Sequence, residues 1–202
     1  MTKAIRTGLL VTLAGLASVA CLTKETSSTL YLDPGGTVTW SVLDRNVRSG
    51  GAEELEYLNA IVRDDHGVTR AFRKLGALEV STQVLRSIRP YSVLAEGRFS
   101  GIDILGQRLL DACGLRGLST LRQHPDGSTT WILVVHADEQ ASADDSVGIG
   151  DDQTKIVLTR GRFLSAEGFV IAGDEATFPS DSPEPEEGTP ITLSLTWTAR
   201  EE

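Results

Sequence analysis

Apolar and polar residues alternate with period two over Thr29 to Asp33 and again over Thr37 to Asp44. Leu30 and Leu32 fall on one side, as do Val38, Trp40 and Val42, and Asp33-Pro34-Gly35-Gly36 lies between the runs. The pattern predicts a β-hairpin. Beyond Ser49-Gly50-Gly51 the period changes. Ala52-Glu53-Glu54 opens a helix with acids in its first turn, and Leu55, Leu58, Ile61 and Val62 form its apolar stripe. The stripe resumes at Val68, Ala71, Phe72 and Leu75 and stops at Gly76, so Gly67 marks either a kink or a break between two helices.

Strand periodicity returns over Leu78 to Leu85 and Tyr91 to Phe99, a second hairpin around Arg86 to Pro90. A helix from Ile102 to Cys113 presents Ile102, Leu105, Leu109 and Ala112 on one side and is capped by Gly114. A third hairpin joins Leu118–Gln123 to Thr130–His136 through His124-Pro125-Asp126-Gly127, with Ile132 to Val135 continuously apolar, as in a strand covered on both faces. Lys155–Thr159 and Gly168–Phe178 read as strands joined through Gly161 to Ser165, and Ile191–Thr198 closes the chain with a clean alternation. Two stretches lack periodicity. Residues 138–152 are acidic and glycine-bearing, and residues 179–190 hold four prolines and four acids, so both are expected to be flexible loops.

Hairpins outnumber helices, and no strand–helix–strand rhythm is sustained. The expected class is α+β: a largely antiparallel sheet built from hairpins, with two helices, or three if Gly67 separates a pair, packed on one face. Residues 29–199 are expected to form a single domain.

The first 28 residues follow a different logic. Lys3 and Arg6 precede 13 uncharged residues, Gly8 to Ala20, which end in small residues directly before Cys21. A basic start, a short apolar core and a small-residue end are the parts of a secretory signal peptide, expected to span residues 1–20. The core is too short to cross a bilayer, which takes about 20 apolar residues. Ala17-Ser18-Val19-Ala20-Cys21 resembles the lipobox of bacterial lipoproteins, although Ser18 stands where that family usually has Leu. The resemblance implies that Cys21 is diacylated on sulfur and becomes the new N-terminus, with Leu22 to Ser28 as a polar tether reaching at most about 25 Å. It also implies a place in a bacterial cell envelope: the outer membrane facing the periplasm if the cell is Gram-negative, since Leu22 is not the Asp that favours inner-membrane retention. Ordinary cleavage near Ala20 is the alternative. It would leave Cys21 a plain thiol that could bridge to Cys113, the second cysteine of the chain.

Removing residues 1–20 takes away Lys3 and Arg6 and no acid, so the net charge moves from −9 to −11. A surface that acidic argues against nucleic acid, which requires a clustered basic face. It also leaves membrane attachment to the acyl chains.

Reactive motifs are absent: there is no G-x-S-x-G, H-E-x-x-H, P-loop or G-x-G-x-x-G before a helix, and neither catalytic residues nor a cofactor are assigned. His66, beside Asp64 and Asp65 at a helix end, reads as a helix-capping residue. His124 lies in a turn. His136, at a strand end near Asp138 and Glu139, is the one histidine worth testing for chemistry, and a hydrolase would need it to meet a Ser and an acid. Asp144, Asp145, Asp151 and Asp152 bracket Gly148-Ile149-Gly150, but the spacing is not that of an EF-hand and no metal is assigned. Trp40, Trp131 and Trp197 sit on alternating strands and read as packing residues.

Gly161-Arg162-Phe163-Leu164-Ser165-Ala166-Glu167-Gly168 followed by Ala176-Thr177-Phe178 is similar to a terminal element of the LppM-type lipoprotein domain of actinobacteria. That family likewise begins with an anchoring cysteine and a strand pair. The resemblance covers about two-thirds of the mature chain and implies a lipid-anchored, non-catalytic envelope domain with a hydrophobic cavity between sheet and helix. It assigns no binding residues. The leading expectation is therefore a binding or interaction module that uses either an exposed sheet face or a helix–sheet cavity; the cavity version would take a hydrophobic ligand in a pocket lined by residues such as Phe72, Leu109 and Trp131. A structural subunit of an envelope complex is the alternative, and a hydrolase ranks last.

Overall fold

The computed structural model describes residues 22–136, 154–179 and 189–200. Cys21, most of both expected loops and the four aspartates of residues 144–152 lie outside these residues. The first hairpin pairs β1 (Thr23–Leu32) with β2 (Val38–Arg48). Helices α1 (Glu53–Val62) and α2 (Gly67–Lys74) follow, so Gly67 begins a second helix. The second hairpin is β3 (Glu79–Arg86) with β4 (Tyr91–Phe99), and α3 spans Ile102–Ala112. After it come β5 (Arg116–Gln123), β6 (Ser128–His136), β7 (Lys155–Leu158), β8 (Gly161–Glu167), β9 (Val170–Ala172), β10 (Glu175–Thr177) and β11 (Ile191–Ala199).

The fold is α+β, with a large mixed sheet and three helices packed against it. The strands divide between two sheets: a seven-stranded one in the order β3-β4-β2-β1-β7-β10-β9 and a four-stranded one in the order β5-β6-β11-β8. One pairing is parallel, β1 with β7. Leu30, Leu32, Trp40 and Ile156 of the large sheet and Trp131, Leu195 and Trp197 of the small one belong to one buried core. Among the described residues no helix is long and apolar enough to cross a membrane.

Several expectations are corrected. Residues 23–28 are a strand, not a tether: β1 pairs with β2 from Thr23↔Arg48 onward. This polar segment can enter the sheet because its inward groups are satisfied. Trp40 Nε1–H donates to Ser28 Oγ at 2.7 Å, and Thr26 Oγ1 and Lys24 Nζ both bond the Asp44 carboxylate. Residues 161–165 belong to a strand of their own, β8, which pairs with β11, while Gly168–Phe178 folds back on itself as β9 and β10. The α3 stripe is Ile102, Leu105, Gly106 and Leu110, with Ala112 exposed, because it is Leu110 that reaches over Gly117 of β5. β6 is interior to its sheet as expected, but Ile132 and Val134 are only half-buried, so one of its faces is not fully covered.

Candidate functional site

α3 begins at Ile102, whose backbone N–H bonds the Gly36 carbonyl of the β1–β2 turn. Gly114, at φ 64°, ends it in the left-handed conformation that glycine adopts without strain. Between these fixed ends the helix packs against β4 of the large sheet and β5 and β6 of the small one. Gly106 faces Ser119 and Trp131 so closely that a Cβ there would collide with the Ser119 side chain. Close approach at that point does not fill the space on either side of it.

What remains is a cavity of about 80 Å³. Its walls come from Leu105 and Leu109 of α3, Leu30 and Ile156 of the large sheet, and Trp131, Leu133 and Leu193 of the small one. The polar edge of Trp131 is turned away, with Nε1–H donating to Ser119 Oγ at 3.0 Å, so the indole offers the cavity a carbon surface. Phe178 closes another side and packs at a tilt of 44° against Phe169, with ring centroids 4.7 Å apart. Among the described lining residues, Cys113 and Thr154 bring the remaining polar side-chain atoms. Burial pushes the Cys113 thiol up from its ordinary value, which keeps it protonated and apolar in behaviour. Such a lining can hold an apolar group by burial and dispersion, and it carries no charge to recruit an ion.

A second cluster lies beneath α1. Asp44 occupies an inward position of β2, in register with Thr26 and Val93, and is 2% exposed. Its carboxylate accepts hydrogen bonds from Lys24 Nζ at 2.8 Å, Thr26 Oγ1 at 2.6 Å and Tyr57 Oη at 2.6 Å. Burial alone would raise its pKa, but the Lys24 charge and these donors outweigh burial and hold it below the usual carboxylate value. Burial, then the Asp44 charge and hydrogen bond, push the Tyr57 hydroxyl up. The His66 ring packs edge-on against Tyr57 at 4.9 Å and is itself buried, which lowers its pKa. The result is a closed polar lock. The Asp44 carboxylate has three donors, and the lock fastens the first residues of β1 to β2 and α1.

The residues singled out by sequence fall in different places. Leu109 and Trp131 line the cavity as expected. Phe72 does not: it is fully buried in a separate aromatic cluster with Trp40 and Phe99. His66 is not a cap by its side chain. It stands at the N-terminal boundary of α2, its carbonyl accepts the Arg70 N–H, and its Nδ1 is buried without a partner. His124 contacts Thr130 Oγ1 at 2.9 Å within its own hairpin. His136 is exposed at the end of β6, opposite Arg116. Among the described residues no group of three His, Cys, Asp or Glu side chains is arranged to hold a metal, and Cys113 is a free cysteine.

The Asp44 lock was missed, although its signal is visible: an acid continues the inward row Val38, Trp40, Val42, where an apolar residue is due. The cavity itself has no such signal, because each wall residue is an ordinary core residue in its own element.

Comparison with known proteins is sparse. No protein-family model and no curated protein matches the chain. Among solved structures, the folded domain of the Mycobacterium tuberculosis LppM protein, determined by NMR, is similar at 12% identity. The match covers 93% of this chain and 97% of that one, with a TM-score of 0.38. It is a distant structural likeness that runs over most of the chain.

Proposed function

We propose that the protein is a non-catalytic binding module that takes a slim apolar ligand, such as an acyl chain, into the cavity beneath α3. The observation that carries this reading is the lining: leucines, isoleucines, a tryptophan and phenylalanine around about 80 Å³ of space. An engineered cavity of roughly 150 Å³ with a similar lining stays dry and binds benzene. The cavity here is smaller, so it suits the end of a chain rather than a ring system. A longer ligand would require α3 to lift from β5 and β6. The signal-like segment before Cys21 supports an extracytoplasmic, lipid-anchored setting, in which acyl chains are abundant.

The test is native mass spectrometry of the full chain purified from cells under mild conditions. An adduct of lipid-like mass that disappears when Trp131 or Leu109 is replaced by a charged residue is the expected result. An adduct-free protein that also fails to take up added fatty acid would sink the cavity reading.

A further inference from the structure

Four strand ends of the large sheet lie along one edge: the start of β1, the end of β2, the start of β4 and the end of β3. The pairings Thr23↔Arg48, Val47↔Tyr91 and Arg86↔Ser92 fix that order. Leu85 and Ile88 stand on this edge, at the tip of the β3–β4 hairpin, 51% and 73% exposed. Leu55 of α1 is 62% exposed and borders the same hollow as Arg89 and Tyr91. The hairpin tip is tied to the start of α1: Arg89 pairs with Glu54 at 3.2 Å and donates to the Ser49 carbonyl. Three large aliphatic side chains are therefore held out to solvent on one braced rim, two from the hairpin tip and one from α1, a helix that buries none of its residues.

Cys21 is separated from β1 by Leu22 alone, and two residues reach at most about 7 Å. Resting on the reading that Cys21 is acylated, we infer that this rim sits on the bilayer surface, with Leu55, Leu85 and Ile88 entering the interfacial region. The absence of a tether is what makes the contact obligatory. A domain whose first strand starts two residues from the acyl chains cannot hold that strand's end far from the headgroups. Arg48 and Arg86 on the same edge suit lipid phosphates, while Glu25, opposite Arg45, brings an acid to the same end of β1. The charge is thus mixed, and the exposed aliphatic groups are the reason to expect insertion. The Asp44 lock gives the contact its rigidity, since Lys24, three positions after the anchor, is fastened into the body of the domain.

The experiment uses the full lipidated chain with Cys113→Ala and a fluorophore attached at Ile88→Cys or, separately, at Leu118→Cys. Leu118 is comparably exposed, at 58%, but projects from the other sheet. Each labelled protein is bound to vesicles of phosphatidylethanolamine and phosphatidylglycerol, with and without brominated acyl chains. The expected result is a blue-shifted emission quenched several-fold by brominated lipid at position 88, and neither effect at position 118. Equal aqueous emission from both positions on vesicle-bound protein overturns the inference and leaves the anchor standing. A blue shift at 88 without bromine quenching overturns it too, because a protein rather than lipid would then cover the rim. Failure of the protein to associate with vesicles at all removes both the inference and the anchoring reading.

Discussion

Two helices dock on this core through a glycine, and they do so in opposite senses. Under α2 the glycine is in the sheet: Gly97 of β4 carries no side chain, and the Phe72 ring occupies the space, so close that a Cβ on Gly97 would lie 2.7 Å from it. Trp40 and Phe99 then pack on Phe72 with centroids 5.2 and 5.9 Å away, and all three rings are buried. Under α3 the glycine is in the helix: Gly106 lets the backbone settle onto Ser119 and Trp131, and Leu105 and Leu109 border the cavity beside it without filling it. The first arrangement exchanges a missing side chain for an aromatic ring, and the second exchanges it for proximity alone. A hollow is what proximity leaves where a single helix covers residues of both sheets.

Truncation at the two sites is the strongest way to break this contrast. Phe72→Ala removes a fully buried ring from close packing and is expected to destabilise the fold by about 3–5 kcal/mol. Leu109→Ala removes a half-buried side chain that already faces empty space, and about 2 kcal/mol or less is expected. Urea unfolding of both variants with unchanged denaturant slopes would measure the difference, and equal losses would mean that the α3 side is as tightly packed as the other.

The filled side also has a polar margin, which predicts how its stability depends on pH. Asp44 has a folded pKa below its ordinary 3.8, so its contribution is present above that value and is lost as pH falls through the folded one. His66, held neutral by burial, has a folded pKa below its ordinary 6.5, so its charging in the unfolded chain erodes stability as pH falls below 6.5. Thermal unfolding should therefore weaken in two acid stages. Asp44→Ala should cost about 1.5–3 kcal/mol at neutral pH and abolish the lower stage. A single acid transition unchanged by the substitution would contradict the lock. Gly97→Ala, which sets a methyl group against the Phe72 ring, should cost about 1–3 kcal/mol, and thermal shift would detect it.

Much of the architecture was legible because period-two and period-three-to-four patterns map directly onto strands and helices. The hairpins at Asp33–Gly36 and His124–Gly127 and the extent of α3 follow from local residue chemistry, while Gly67 marked an interruption without deciding between a kink and the break the structure has. What failed were features set by distant partners. Thr23 to Ser28 looks like a tether until Asp44 and the Trp40 indole on the neighbouring strand supply bonds for its hydroxyls and amine. Phe72 and Leu109 each sit on a helical stripe, yet one fills a core and the other borders a void. The deciding residues, Gly97 and Ser119, lie on different strands and have no periodic relation to either helix. The split into two sheets likewise depends on long-range pairing, β1 with β7 and β6 with β11, that no local pattern encodes.

The smallest expected change in stability is also the most informative about function. Leu109→Phe places a larger, still apolar side chain at the cavity wall, in effect copying onto α3 what Phe72 does for α2. Because the space it enters is already empty, the substitution should alter stability by no more than about 1.5 kcal/mol in either direction. Uptake of an added fatty acid, read by native mass spectrometry, should nevertheless fall several-fold, since the ring and the ligand compete for the same volume. A variant equally stable and equally able to retain the ligand would separate the hollow from the binding site. The aliphatic walls would then be no more than a packing defect beneath α3.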